Sequence, residues 1–529
     1  MHYRFGPLFP FLAVLLLASC GGGGSGGGDS PAAVNISGRI TYDYVPVTVR
    51  GLNYDATEAR PARGLKVNLL NRDDSVVAST TTDALGNYQV TVDANTVVKV
   101  RVLAELSRSG SPRYNFKVTD NTQGNSLYGI EGEFASSGNR NSSRDLHAES
   151  GWGGERYTGV RAAAPFAIID TVYSSLQLLL TAEPGISLPD AELRWSVNNR
   201  AATGSEAVGN ITTSKFVAAQ SAIYILGSED SDTDEYDAHV VAHEFGHYFE
   251  YALSRSDSIG GSHSINEELD MRVAFGEGYA NAFSAIVLED PVYKDSFQNM
   301  QAIAAVWHVD DSDIDLPGWY SEASIQSIIY NLYNNDAERF KQIYTALRSN
   351  DYINADALTG IHLFTAIFKQ VAPPLAATMD DLLAEQNIVG NDMWASGETN
   401  NGGVASVLPL YKNVAVNSDA SVICSSRKST VDEGNKLGNR QYGRVQIATR
   451  GQYKIDITRD SGSGNADPDF LISQGGVLIG SGLSVNTTES ELVTLEAGNA
   501  VIEVMDFRNI DGLSNTGGTS CFNVSVTLE

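Results

Sequence analysis

The stretch HVVAHEFGHYFEYAL, residues 239–253, holds the residue types best suited to chemistry in this chain of 529. It has the pattern of a helix, on which residues four apart share a face. His243 and His247 can therefore present ring nitrogens to one metal ion. Glu244, one step round, can reach a water on that ion and take its proton. A zinc ion suits such a set, because it lowers the pKa of a bound water towards neutrality and polarises a carbonyl. His239 lies on the same stripe, but two turns from His247, roughly 12 Å at 1.5 Å per residue. The pair that brackets Glu244 is the expected metal pair, and His239 is expected to pack or to support it.

Two histidines leave the site one protein ligand short. The metzincin continuation H-E-x-x-H-x-x-G-x-x-H is excluded, since Glu250 and Leu253 stand where its Gly and His belong. Downstream candidates are His263, Glu267, Glu268, Asp270 and Glu277. The first four lie in SIGGSHSINEELD, a polar, loop-like segment where solvated charge is the ordinary role. Glu277 is the single acid of FGEGYANAFSAIV, an otherwise apolar and small-residue helix. An isolated carboxylate there costs free energy unless it is paired or bound to metal. Gly276 and Gly278 flank it and would let this helix approach the motif helix closely.

HEFGH followed about thirty residues later by GEGYAN resembles the gluzincin zinc peptidases, the thermolysin-like and especially the fungalysin-like branch. In that family G-E-G-x-x-D carries the zinc-binding Glu. The resemblance implies that Glu277 is the third ligand of one catalytic Zn²⁺ and that Asn281, one turn on, orients a ligand histidine. The family has Asp at that position; Asn can accept the hydrogen bond but brings no charge. A gluzincin also needs a donor to the oxyanion formed in peptide hydrolysis. Thermolysin-like enzymes use a His in a G-V-H-x-N-S-G segment, and GWYSEAS, residues 318–324, places Tyr320 at the comparable position. His308 and Tyr279 are weaker candidates. The implied activity is that of an endopeptidase acting on protein or peptide substrates, with Glu244 as general base. The alternative is a peptidase-like surface binding protein that has lost activity, of which Asn281 is the one sequence sign. The G-x-M-E-N signature of aminopeptidases is absent.

The elements that must position these residues fall into three blocks. Residues 34–106 read as strands of a small antiparallel sandwich, with alternating apolar and polar residues between Asn, Asp and Gly turns. ISGRI with TTDALGNYQV resembles transthyretin-like or carboxypeptidase-regulatory-like modules, in which Asp83, Gly86 and Tyr88 mark a turn. Residues 107–150, rich in Ser, Asn, Gly and Arg, read as an irregular connection. In 151–412, AELRWSV and SAIYILG read as strands and a run of helices follows. SAIYILG is expected to be the edge strand that pairs with an extended substrate. The acidic run at 229–237 is expected to cap the motif helix. Residues 418–529 are β again; DPDF at 467–470 and GNAV at 498–501 resemble the bacterial pre-peptidase C-terminal domain. The expected fold class is α+β: a zincin-type catalytic unit, edge-strand sheet plus helical subdomain, flanked by two small β-sandwiches.

Charge and leader bound the partners. Acidic residues number 64 against 36 basic, a formal charge of −28, which argues against nucleic acid or an anionic membrane surface. Residues 1–19 have Arg4 and then an apolar run too short to span a bilayer, as in a signal peptide. Leu17-Ala18-Ser19-Cys20 resembles the bacterial lipoprotein motif, which implies lipid on Cys20, followed by a Gly/Ser-rich tether over 20–33. Gly21 rather than Asp after the cysteine points to the outer membrane of a Gram-negative cell, with the lipid as sole membrane contact. Cys424 and Cys521 bracket the last β block, and a disulfide between them is expected.

Overall fold

The computed structural model describes residues 32–229, 232–427, 434–511 and 518–529. The leader, Cys20 and most of the 20–33 tether lie outside the described residues, as do positions 230 and 231 of the acidic run.

The N-terminal strands follow the period-2 alternation that predicts them. Ala33–Tyr44 buries Val34, Ile36, Ile40 and Tyr42 and pairs with Asn87–Asp93 and Glu58–Pro61. In a second sheet Lys66–Leu70 lies between Val76–Thr81 and Val97–Leu103. Asp83 fixes the turn that carries the chain from one sheet to the other: its Oδ1 accepts from the N–H groups of Leu85 and Asn87 at 2.9 and 2.8 Å.

Residues 107–150 are not the irregular connection expected. Tyr114–Asp120 enters the next sheet, where it runs parallel to Ala191–Trp195. Gly129–Glu131, Ala135–Ser136, Ser142–Ser143 and Leu146–Ala148 return to pair with the N-terminal strands. These returning pieces are two or three residues long and largely exposed, so they carry no alternation to read. Pairing with longer strands supplies their order.

The sheet behind the motif helix has the order Ser126–Leu127, Tyr114–Asp120, Ala191–Trp195, Ala222–Ile225, Lys215–Val217. Ala222–Ile225 is therefore interior, not the edge strand expected. Lys215–Val217 folds back on it with Phe216 opposite Ile223 and forms the edge. The unbroken apolar run of Ala222–Ile225, all four residues buried, is that of an interior strand.

Helices α1 (Ala164–Ala182) and α2 (Ala238–Leu253) pack against this sheet. Phe116 meets Phe245 and Tyr248 of α2 at ring-centroid distances of 5.4 and 5.6 Å. Helix α3 (Met271–Leu288) is buried along nearly its whole length between α2 and α4 (Glu322–Asn335). Gly246 makes the close α2–α3 approach, since a Cβ there would stand 3.2 Å from Cα of Ala280. Gly278, expected to serve that contact, instead admits α4: its Cβ would lie 2.5 Å from Cβ of Ile325. A hairpin, Val292–Phe297 with Ile303–His308, follows α3, and helices Phe340–Arg348, Ile361–Val371 and Ala376–Glu385 complete the helical part.

The C-terminal unit is two sheets around its own core, which includes Ile455, Phe470, Ile502 and Val524. Its first strand, Tyr411–Val414, precedes the boundary expected at 418 and runs parallel to Arg440–Ile447. Cys424 and Cys521 stand opposite each other in adjacent strands and are joined by a disulfide.

Candidate metal centre

Helix α2 places His243 and His247 one turn apart with their Nε2 atoms 3.0 Å from each other. Helix α3 brings Glu277 against both. Its Oε2 lies 3.1 Å from Nε2 of His247 and 3.2 Å from Nε2 of His243. Three donors bound to zinc at 2.0–2.1 Å in a tetrahedron are about 3.3 Å apart, so the set has the spacing of one zinc ion's ligands. Among the described residues His243, His247 and Glu277 form a group whose ligand atoms all lie within 4.8 Å of one another.

The outer nitrogens of both rings face acceptors. Nδ1 of His243 is 2.8 Å from Oδ1 of Asn281, an arrangement that keeps the proton on Nδ1 and the Nε2 lone pair facing Glu277. Nδ1 of His247 is 3.7 Å from Oε2 of Glu250, which is 1% exposed. Sequence reading used Glu250 only to exclude the metzincins. Its spacing of three from His247 on the helix was the available signal.

His263 joins the group from the loop between α2 and α3. Its Nε2 lies 3.3 Å from Oε2 of Glu277 and its Nδ1 2.8 Å from Oε2 of Glu322, the first residue of α4. The polar segment around it gave no hint of this, and Glu322 was not singled out. The other downstream acids turn elsewhere. Glu267 pairs with Lys436, and Asp270 caps α3 while holding Arg272.

Burial alone would raise the carboxyl of Glu277, but the imidazoles of His247, His243 and His263 outweigh it and hold the group well below its usual range. For His247 burial works against protonation, and Glu277 and Glu250 overcome it and push the imidazole well up. His263 is pushed up to about 10, with Glu277 and Glu322 again outweighing burial. The carboxylates thus demand positive charge at this point, a demand that a divalent cation meets.

Glu244 is not a member of the ligand set. Its Oε2 accepts the N–H of Phe216 in the edge strand at 2.7 Å, which ties the carboxylate to the rim of the sheet. Tyr320 is not brought to the ligands. Its hydroxyl donates to Oδ1 of Asn400 at 2.9 Å and lies 3.3 Å from the carbonyl of Pro317. Tyr279 lies in an aromatic stack with Phe275 and Phe283, and His308 is exposed beside Asp310. His239 packs on Tyr293 with its Nδ1 3.1 Å from Oγ of Ser284, the packing role expected of it.

A second cluster lies at the start of α2, where carboxylate oxygens of Asp232, Asp234 and Asp295 stand within 4.8 Å of one another. Asp237 is the residue before α2, yet it makes no side-chain cap. It reaches across to accept from the N–H and hydroxyl of Ser296 at 2.9 and 2.7 Å. Asp232, Asp234 and Asp237 each keep one buried oxygen without a hydrogen-bond partner among the described residues. Burial first, and the neighbouring carboxylate Asp232 second, push Asp295 up to about 7.

Comparison with known proteins places a family on the same stretch. Residues 212–359 match the model of the mycolysin C-terminal domain, a span that includes α2, the loop of His263, α3 and Glu322. No curated protein matches the chain. Among solved structures, the pre-peptidase C-terminal domain of a collagenase from Bacillus anthracis is 11% identical over 22% of this chain and 93% of that one, with a TM-score of 0.16. A periplasmic inhibitor of g-type lysozyme from Aeromonas hydrophila is 11% identical over 22% of this chain and 99% of its own, with a TM-score of 0.15. A carbohydrate-binding module of a lichenase from Cellvibrio mixtus is 16% identical over 21% and 89%, with a TM-score of 0.12. The mycolysin match marks residues 212–359 as peptidase-related.

Proposed function

We propose that the chain is a zinc-dependent endopeptidase, exported and held at the cell envelope by lipid on Cys20. The observation that carries this reading is the mutual spacing of 3.0–3.2 Å among Nε2 of His243, Nε2 of His247 and Oε2 of Glu277, beside a glutamate that is not a ligand. These three residues would hold one zinc ion, which when bound supplies a Lewis acid and a water of lowered pKa. Asn281 and Glu250 orient the two imidazoles. Glu244 takes the proton of the attacking water and passes it to the leaving amine. His263, held by Glu322 and 3.3 Å from Oε2 of Glu277, takes the oxyanion role expected of Tyr320. The short edge strand Lys215–Val217, already tied to Glu244 through Phe216, supplies the rim along which an extended peptide backbone runs.

The test is zinc stoichiometry on the purified full chain together with casein cleavage by the wild type and by Glu244→Gln. One zinc per chain in both, with cleavage by the wild type only, is the expected result. Zinc in both and cleavage by neither would reject the peptidase reading in favour of a binding protein built on the same scaffold.

A further inference from the structure

His263 reaches Glu277 on a segment, 254–270, that contains no helix or strand. Something outside the segment must therefore fix the imidazole. Glu322 holds its Nδ1, and the backbone just before it is held by the C-terminal unit, 175 positions further along the chain. Nδ2 of Asn435 donates to the carbonyls of Gly260 and Ser262, both at 3.0 Å. Nζ of Lys436 donates to the same Ser262 carbonyl at 2.7 Å and pairs with Glu267 at 3.0 Å. The carbonyl of Ser262, one residue before His263, thus receives two donors from one neighbouring strip.

The strip continues as backbone pairing. The N–H of Asp270 donates to the carbonyl of Asn435 at 2.8 Å, and the N–H of Leu437 to the carbonyl of Glu268 at 3.0 Å. Asp270 caps α3, the helix that bears Glu277, and Arg272 in its first turn pairs with Glu503 of the C-terminal unit at 2.8 Å. Asn435 and Lys436 are 1% and 7% exposed. A buried ammonium is costly unless its hydrogens are used, and here they are used on the His263 loop. Removing Asn435 takes this donor from the Gly260 carbonyl, and removing Lys436 leaves the Ser262 carbonyl with Asn435 alone, so each change loosens the loop at a different point.

We propose that Asn435 and Lys436 are positioning residues of the metal centre: by holding the carbonyls of Gly260 and Ser262 they keep His263 on Glu277. The C-terminal unit is then a working part of the site rather than a detachable module. This rests on the reading of the centre as a zinc hydrolase in which His263 acts.

The experiment uses the full chain with Asn435→Asp, Lys436→Met and Lys436→Arg. The first keeps the side-chain size but loses both N–H donors; Oδ1 of Asn435 makes no hydrogen bond to be missed. Three quantities are read: zinc content, kcat and KM on a peptide substrate, and amide hydrogen exchange across 254–270. All three variants should keep one zinc per chain, because the ligands are untouched. Asn435→Asp and Lys436→Met should speed exchange in the loop on the order of tenfold while α2 and the C-terminal strands stay protected. They should lower kcat on the order of tenfold with KM little changed, as for a displaced catalytic group. Lys436→Arg, which can still donate, should restore both readouts. In a His263→Asn background Lys436→Met should cost no further kcat. Unchanged loop exchange in both variants, or the same loss of kcat with and without His263, would overturn the proposal. If the wild type binds zinc but cleaves nothing, the functional reading fails, and loop exchange alone decides the positioning role. Should Lys436→Met not fold, Asn435→Asp carries the same comparisons.

Discussion

Glu250 lies behind His247, its Oε2 3.7 Å from Nδ1 of the ring, and neither oxygen of that carboxylate has a hydrogen-bond partner among the described residues. Burial raises its carboxyl, and the imidazole of His247 pulls it back. Behind His247 the centre thus has a carboxyl group, whereas behind His243 it has the neutral amide of Asn281.

Glu250→Gln is therefore expected to weaken zinc binding about 10- to 100-fold, the usual cost of removing a residue that orients a ligand. Competition against a chelating dye measures it. The reverse change at the other ring, Asn281→Asp, should tighten zinc binding on the order of tenfold, since a charged acceptor raises the basicity of His243. No change with either variant would show that these residues only fill space.

Glu277→Gln should reduce zinc retention far more than Glu267→Gln or Glu268→Gln. Glu277 sets one oxygen against both His243 and His247, whereas Glu267 is turned to Lys436. Zinc content after dialysis against a weak chelator, read by mass spectrometry, separates the three. Equal losses would remove Glu277 from the ligand set.

The three residues of the candidate ligand set were legible in the sequence because they sit on two helices with a readable pattern, whereas Glu250 and Glu322, also on helices, carry no motif that marks them. Four-residue spacing placed His243 and His247, and the anomaly of one acid in an apolar helix placed Glu277. The helices themselves follow from apolar periodicity, and the sandwich strands from alternation. His263 was not legible, because a loop has no period and its position is set by Asn435, Lys436 and Glu322, all distant in sequence. The strand at 222–225 was read as an edge because the three-residue Lys215–Val217 that covers it is too short to announce itself. The pieces at 129–148 were missed for the same reason.

The proposal that His263 rather than Tyr320 is the oxyanion donor has a direct consequence. Tyr320→Phe removes a hydroxyl already engaged with Asn400, so kcat should stay within about twofold and any loss should appear as stability. His263→Asn should lower kcat about 10²- to 10³-fold, the cost of losing one oxyanion donor, without loss of zinc. A larger effect at Tyr320 than at His263 would reverse the assignment.

The acidic cluster at the start of α2 predicts an unusual pH dependence of stability. Burial raises Asp232 to about 6, and burial with repulsion from Asp232 raises Asp295 to about 7. Asp234 and Asp237 are raised as well, by burial first and then by their acidic neighbours. A carboxyl with a folded pKa above its unfolded value binds more protons folded than unfolded. Stability therefore falls as pH rises from the ordinary aspartate range to about 7, and is highest below it. The opposite sign holds for the paired carboxylate Glu503, which burial raises but Arg272 and Arg440 lower overall; its contribution is lost only as pH falls further into acid. Between about pH 5 and 7 the aspartates of the cluster are joined by Asp469, which burial raises to about 7. They act against buried His239, which burial lowers to about 3 and which favours the folded state as pH rises. The several aspartates outnumber the one histidine and set a declining slope. Thermal unfolding without added divalent cations, which would neutralise the same charges, should show Tm declining over that interval. Asp295→Asn should raise Tm at pH 7.5 by several degrees and flatten the decline, because it removes a carboxylate that burial and Asp232 raise to about 7. A Tm that rises with pH between 5 and 7 in the wild type, or a loss of Tm in Asp295→Asn at pH 7.5, would show that these carboxylates are not held together at a cost.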